Sequence, residues 1–174
     1  MADVKPLKLD SGIIKQMGTG DTLPVENGGT GQTTQWLPQA KAKTTDESVT
    51  SSTAYQDDDT FVFNIAANET WVVNGFIQMS CAASGGMKFD LAVPSGASGY
   101  LSATVDGLAW TNGAAVGTGG GNNAAVSNDL ASFSAYVANS STAGVIQLRW
   151  AQNISNGTAS IIKRSSTLVA TRVS

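Results

Sequence analysis

The 174-residue sequence contains no histidine, and this absence excludes more kinds of chemistry than any other feature. Without an imidazole, Ser-His and Cys-His nucleophile pairs, histidine-ligated zinc or iron and histidine acid–base catalysis are impossible. Enzymes that work with carboxylates alone remain conceivable as a minority alternative. We therefore expect a protein that is not an enzyme, with no catalytic residues, no cofactor and no bound metal.

Cysteine and charge are also scarce. Cys81 is the only cysteine, so no disulfide can form within the chain, and the apolar run FIQMSCAA around it predicts a small buried side chain. Charged residues make up 13% of a chain of net charge −3, and its ten lysines and arginines are scattered, which argues against a nucleic-acid partner. No apolar segment has the length of a membrane span, and the first residues lack the apolar part of an export signal. We expect a protein made in a reducing compartment, with no membrane partner.

The sequence divides into two regions of different pattern. Residues 1–47 hold three of the four prolines and no sustained hydrophobic period, which predicts an extended N-terminal arm. Residues 48–174 contain short alternating apolar runs bounded by Gly, Asn, Asp and Ser, which indicate eight or nine strands and no helix. We predict an all-β fold here, an antiparallel β-sandwich of jelly-roll type.

Two stretches of the predicted sandwich are candidates for contacts with other molecules. The strand TWVVNGFIQMSC is apolar on both faces, with Trp71 and Cys81 on one face and Val72 and Phe76 on the other. Such a strand packs against a partner outside the sandwich, so Val72 and Phe76 are predicted at an oligomer interface. The composition of NGAAVGTGGGNN (112–123) predicts a flexible loop, with Asn112 exposed at its start and Trp110 exposed beside it.

Three motifs suggest chemistry and are better explained by structure. PVENGGTGQT resembles a phosphate loop, but Gln32 stands where the lysine is needed, so a turn or a closely packed extended segment is favoured. Asp57-Asp58-Asp59 offers oxygen ligands for calcium, but the ligand spacing of an EF-hand is missing, and a solvated loop is favoured. A carboxylate-only glycan hydrolase would use a pair among Asp90, Asp106 and Asp129, but their flanking residues single none of them out, so roles at strand edges and turns are favoured.

Both ends of the chain resemble structural proteins of tailed bacteriophages. The segment KPLKLDSGIIKQMGTGDTLPVENGGTG is similar to the opening of many such proteins, and VIQLRWAQNISNGTASIIKRSSTLVATRV is similar to the closing strands of small β-sandwich domains in phage virions. The resemblance implies a trimeric jelly roll like those of tumour necrosis factor and C1q. It also implies that the arm docks onto another virion subunit by backbone hydrogen bonds. The docking residues would be Pro24, Val25, Asn27, Gly28, Gly29, Thr30 and Gly31.

Two places in a virion fit this resemblance. Tail fibres carry long repetitive shafts, and no internal repeat is visible here, which favours a capsid decoration protein that binds the major capsid protein or other virion subunits. The alternative is a short tail-fibre or baseplate receptor-binding protein that contacts a host-surface glycan through Trp110 and the loop beside it. Both imply synthesis in the cytoplasm of a bacterial host and final location in the virion. A free-standing cell-surface lectin is less favoured, because no export signal is seen.

Overall fold

The computed structural model describes residues 7–10, 13–16, 37–82, 84–105, 108–117, 120–122 and 129–174, which contain fourteen strands and no helix. None of these residues forms a helix that could cross a membrane. The chain divides into two compact units, residues 1–36 and 37–174. In the first unit, β1 (Leu7–Asp10) and β2 (Ile13–Gln16) form an antiparallel hairpin.

The second unit contains the other twelve strands in the described residues. They are β3 (Gln39–Ala42), β4 (Glu47–Val49), β5 (Gln56–Ile65), β6 (Thr70–Ser80), β7 (Met87–Ala92), β8 (Ser98–Val105), β9 (Leu108–Ala115), β10 (Gly120–Asn122), β11 (Asp129–Ala138), β12 (Gly144–Gln152), β13 (Ser160–Ile162) and β14 (Thr167–Arg172).

Eight of these strands form two antiparallel sheets in the order of a jelly roll. One sheet has the order β3-β14-β6-β11 and the other β10-β7-β12-β5. If these eight strands alone are renumbered from 1 to 8 in chain order, one sheet has the order 1-8-3-6 and the other the order 5-4-7-2. The chain therefore crosses repeatedly between the sheets. The hairpin β8-β9 extends the first sheet beyond β11, and β13 and β4 join it beside β6. The predicted all-β, antiparallel sandwich of jelly-roll type is confirmed.

The core lies between the sheets and follows from the two-residue period of the strands. Alternate residues of β5, β6, β7, β11 and β12 are apolar and buried, so each strand turns one row of side chains inward. Phe89 of one sheet meets Phe133 of the other edge to face, with ring centroids 6.4 Å apart. Trp71 and Trp150 are buried in this core, and Cys81 is buried as predicted.

The second unit begins at Leu37, before the predicted start at residue 48. Strand β3 pairs with β14, and β4 pairs with β13, so residues 39–49 belong to the sheet that contains the last strand of the chain. The backbone N–H of Lys43 also donates to the Ser166 carbonyl oxygen at 2.8 Å. These pairings join residues more than a hundred positions apart, and the local pattern of proline and glycine does not indicate them.

Two predictions of loops are wrong. Residues 112–123 were predicted as a flexible loop, but β9 pairs with β8 and β10 pairs with β7, which places Trp110 and Asn112 in strand β9. Small residues form strands when neighbouring strands accept and donate their backbone hydrogen bonds, and composition alone does not reveal those neighbours. Asp57-Asp58-Asp59 was predicted as a solvated loop, but it lies within β5, and Asp58 is completely buried.

Candidate interaction surface

Among the side chains that the structure describes, the outward side of the four central strands of the larger sheet carries no charge. Twelve outward positions of β14, β6, β11 and β8 lie in three cross-strand rows. They are Thr171, Val72, Tyr136 and Tyr100; Val169, Asn74, Ser134 and Ser102; and Thr167, Phe76, Ser132 and Thr104. We call these twelve residues the uncharged face. Every member is apolar, aromatic, a hydroxyl residue or an amide.

Large apolar side chains are exposed on and beside the uncharged face. Phe76, Tyr100 and Tyr136 are 53%, 63% and 47% exposed, and Leu130 projects from the same side of β11. Val72, half-buried, lies directly opposite Tyr136, which in turn lies opposite Tyr100. A depression of about 470 Å³ runs across the middle of this face. Polar atoms in it are partly satisfied within the sheet, since the Ser134 hydroxyl donates to Asn74 Oδ1 at 2.9 Å.

Two glycines allow neighbouring strands of the larger sheet to approach each other closely. A Cβ added at Gly75 of β6 would lie 2.0 Å from the Thr167 carbonyl oxygen of β14. A Cβ added at Gly99 of β8 would lie 2.0 Å from the Tyr136 carbonyl oxygen of β11. Any larger residue at either position would push neighbouring strands apart, so these glycines help to set the shape of the uncharged face.

The outward side of the smaller sheet has the opposite chemistry. Asp90 of β7, Arg149 of β12 and Asp57 of β5 form one cross-strand row. Asp90 is buried, pairs with the Arg149 guanidinium and accepts the backbone N–H of Gly117 at 2.9 Å. The Tyr55 ring lies beside this row, 4.5 Å from Lys88 Nζ and 5.6 Å from the Arg149 guanidinium carbon. We call these residues, Tyr55, Asp57, Lys88, Asp90 and Arg149, the charged face.

A third cluster joins one buried lysine to one buried and one half-buried carboxylate. Lys43 Nζ lies 2.8 Å from Asp58 Oδ2 and 2.6 Å from Glu47 Oε2, and the side chains of Lys43 and Asp58 are 2% and 0% exposed. Asp58 Oδ1 accepts the backbone N–H groups of Thr60 and Phe61, at 2.9 and 3.0 Å. We call Lys43, Glu47 and Asp58 the buried triad.

Burial and charge shift the pKa values within the buried triad. Burial raises the pKa of Glu47, and the negative charges of Asp58 and Asp59 add to this effect against the opposing influence of Lys43. For Lys43, burial acts to lower the pKa, but the hydrogen bonds and charges of Asp58 and Glu47 outweigh it and raise the pKa above its ordinary value. Lys43 therefore rests as an ammonium, and Glu47 is a stronger base than an ordinary carboxylate.

The structure brings together some of the predicted site residues. Val72 and Phe76, predicted at an oligomer interface, both belong to the uncharged face. Pro24 to Gly31 of the predicted docking segment lie outside the described residues, as do the side chains of Trp110 and Asn112.

The candidate carboxylates are not assembled into a described site. Asp90 is buried in an ion pair rather than at the strand edge or turn that was favoured, because Arg149 and the Gly117 N–H supply its partners. Asp106 and the side chain of Asp129 lie outside the described residues. Within the described ranges, no group of three or more Cys, Asp or Glu residues could hold a metal ion.

Sequence reasoning missed most of the uncharged face and the whole buried triad. Tyr100 and Tyr136 are marked by strict alternation with buried neighbours, and a systematic search for charge-free outward positions would have found them. No local signal marks the triad, because Lys43 precedes β4 and Asp58 lies within β5, and only the fold brings them into contact.

No protein-family model matches the chain, and no curated protein matches it. Among solved structures, the chain is similar to the infectious bursal disease virus Gt strain, with 13% identity, a TM-score of 0.22, and coverage of 98% of this chain and 43% of that one. It is also similar to the VP2 subviral particle of infectious bursal disease virus, with 11% identity, a TM-score of 0.23, and coverage of 98% and 46%. The chain thus spans less than half of each of these structures. At TM-scores this low, the similarity supports no conclusion about the fold or the function of this chain.

Proposed function

We propose that this protein is a non-enzymatic structural subunit of a virion, a capsid decoration protein of the tailed-bacteriophage kind. In this proposal the jelly roll forms a homotrimer and the N-terminal arm docks onto the major capsid protein or another virion subunit. The observation that carries the proposal is the uncharged face, twelve adjoining outward positions without one charged side chain.

The uncharged face has the composition of a protein interface. The centres of such interfaces are poor in charged residues and rich in aromatic ones, and here Phe76, Tyr100 and Tyr136 stand among small hydroxyl residues. Hydroxyl and amide side chains can satisfy one another within the sheet, so the face can be covered without leaving a charge unpaired. A second copy of the chain is the partner we propose for it.

The arm supplies the second contact in this proposal. Its docking segment, residues 24–31, is rich in glycine and leaves the backbone accessible for pairing with a neighbouring strand edge. Three arms on one trimer would bind multivalently, so modest individual contacts would give slow release. Subunits that bind only the assembled shell stabilise it by mass action, which requires no bond-making chemistry.

Deletion of residues 1–34 tests the docking role. The deletion ends before the compact unit, which begins at Leu37, so we expect a folded oligomer that no longer joins particles. Folding is measured by circular dichroism, mass in solution by light scattering, and incorporation by quantitative mass spectrometry of purified virions. Incorporation of the truncated chain at the level of the intact chain would refute the role of the arm. Copy number gives an independent criterion, because a decoration protein is present in hundreds of copies and a tail fibre in tens at most.

A further inference from the structure

The buried triad has the arrangement required for an amide bond between two side chains. We propose that Lys43 and Asp58 condense to an isopeptide bond, with Glu47 as the catalytic proton carrier, and that the bond cross-links the segment after β3 to β5. The nucleophile already contacts the carboxyl group that it would attack, since Lys43 Nζ lies 2.8 Å from Asp58 Oδ2. Groups held in this way react with effective concentrations far above those available in solution.

The surroundings of Asp58 fit acyl transfer at its side-chain carbon. Asp58 Oδ1 accepts two backbone N–H groups, from Thr60 and Phe61, while Oδ2 faces the lysine. When Nζ attacks the Asp58 Cγ, negative charge develops on one carboxyl oxygen, and two fixed backbone donors at Oδ1 stabilise that charge. The other oxygen, Oδ2, is the leaving group. The two carboxyl oxygens of Asp58 therefore have different hydrogen-bond partners before the reaction begins.

Glu47 is positioned to move the protons. Its Oε2 lies 2.6 Å from Lys43 Nζ, and its Oε1 accepts a hydrogen bond from Gln56 Nε2 at 2.9 Å, which fixes the carboxylate. Lys43 rests as an ammonium and must lose a proton before its lone pair can attack. The raised pKa of Glu47 suits it to take that proton.

The condensation balances without any further reactant. The Lys43 ammonium carries three protons, of which the amide keeps one. The other two leave with Asp58 Oδ2 as water, one of them carried by Glu47, which ends unchanged. The Nζ–Cγ bond forms, the Cγ–Oδ2 bond breaks, and one positive and one negative charge disappear together. Removal of two buried charges also ends the desolvation cost of the ion pair, which favours the product.

The position of the bond gives it a mechanical use, and this part of the inference rests on the proposed function. Lys43 directly follows β3, the edge strand through which the N-terminal region enters the sandwich. Force on a docked arm would pull on β3, whose contact with β14 consists of backbone pairing over four residues. A covalent link from Lys43 to β5 would carry that force, so the strands that follow β3 would not be pulled out of the sandwich.

The mass of the purified full-length chain tests the bond directly. We expect the folded wild-type protein, after incubation at neutral pH, to be lighter than its sequence mass by one water. Trypsin followed by a glutamate-specific protease should give residues 42–47 joined to residues 48–69. A succinimide would also lose water but would leave Lys43 free, so trypsin would cut after it and residues 44–47 would separate from residues 48–69. Full sequence mass in folded protein, or separate peptides, would overturn the proposal.

Three variants test which residues are needed to form the bond. Glu47→Gln keeps the size of the side chain but cannot accept the proton, so we expect at least a tenfold slower loss of water, and Lys43→Arg should abolish the loss. Lys41→Arg, an exposed change two residues away, is the matched control and should retain the full loss of water. Unchanged water loss in Glu47→Gln would exclude Glu47 as the proton carrier. The mass assay is independent of particle binding, so failure of the cross-link and failure of the docking role are separate results.

Discussion

The outward surfaces of the two sheets have opposite chemistry although both are built on the same alternating backbone. The uncharged face presents Tyr100, Tyr136 and Phe76 among hydroxyl residues. The charged face presents Asp57, Lys88 and Arg149 around a buried aspartate. Both sheets turn apolar side chains inward to one core, so the difference between their outward surfaces does not come from the core. The proposed contact with a second subunit would account for the uncharged face, because the centres of protein interfaces are poor in charged residues.

The largest effect we predict comes from making the same substitution, Phe to Ala, once in the core and once on the uncharged face. Phe63→Ala removes a fully buried ring and should lower the free energy of unfolding by about 3–5 kcal/mol. Phe76→Ala removes a half-exposed ring and should change the stability of the isolated subunit by less than about 0.5 kcal/mol.

Urea unfolding at low protein concentration, where oligomers dissociate, measures both values. A cost for Phe76→Ala close to that for Phe63→Ala would show that Phe76 belongs to the core of a single subunit rather than to an interface.

The second prediction places a charge on each outward surface. Ser132→Arg introduces a cation at an exposed position between Phe76 and Thr104 on the uncharged face. An interface there would bury this charge without a partner, so we expect self-association to weaken at least about 30-fold, which corresponds to about 2 kcal/mol.

Asn64→Arg, at an exposed position of β5 in the smaller sheet, is the matched control and should leave association unchanged. Analytical ultracentrifugation over a range of concentrations distinguishes the two variants. Equal association of Ser132→Arg and wild type would remove the uncharged face as the site of oligomer contact.

The sequence predicts the sandwich because its strands alternate strongly. In β6, Trp71 and Val73 face inward while Val72 and Phe76 face outward, and the two-residue period alone gives this result. Residues 112–115 of β9 and all of β10 are small or polar and do not alternate, and the pairing of these strands with β8 and β7 depends on partners that composition does not specify. The buried triad is a product of tertiary structure for the same reason.

The third prediction concerns the ion pair of the charged face. Asp90→Ala removes the partner of Arg149 and the acceptor of the Gly117 N–H, and we expect a loss of about 2–3 kcal/mol in the free energy of unfolding. Asp57→Ala changes an exposed carboxylate in the same cross-strand row and should cost less than about 0.5 kcal/mol. Thermal or urea unfolding compares them, and equal effects would mean that burial does not determine the contribution of this pair.

The smallest effect we predict is a change in the titration of Tyr55 beside the same ion pair. Burial raises the pKa of Tyr55 above its ordinary value of 10.0, the charge of Asp90 raises it further, and Arg149 partly opposes them. The difference in phenolate absorbance between wild type and Tyr55→Phe isolates this residue from the other two tyrosines. Because the folded pKa is raised, the contribution of Tyr55 to stability is complete below pH 10 and is lost as the pH rises through the folded pKa. Asp90→Asn removes one raising charge and should move the midpoint down. A midpoint that did not move would mean that burial alone raises the pKa of Tyr55. The charge of Asp90 would then have no effect on this pKa.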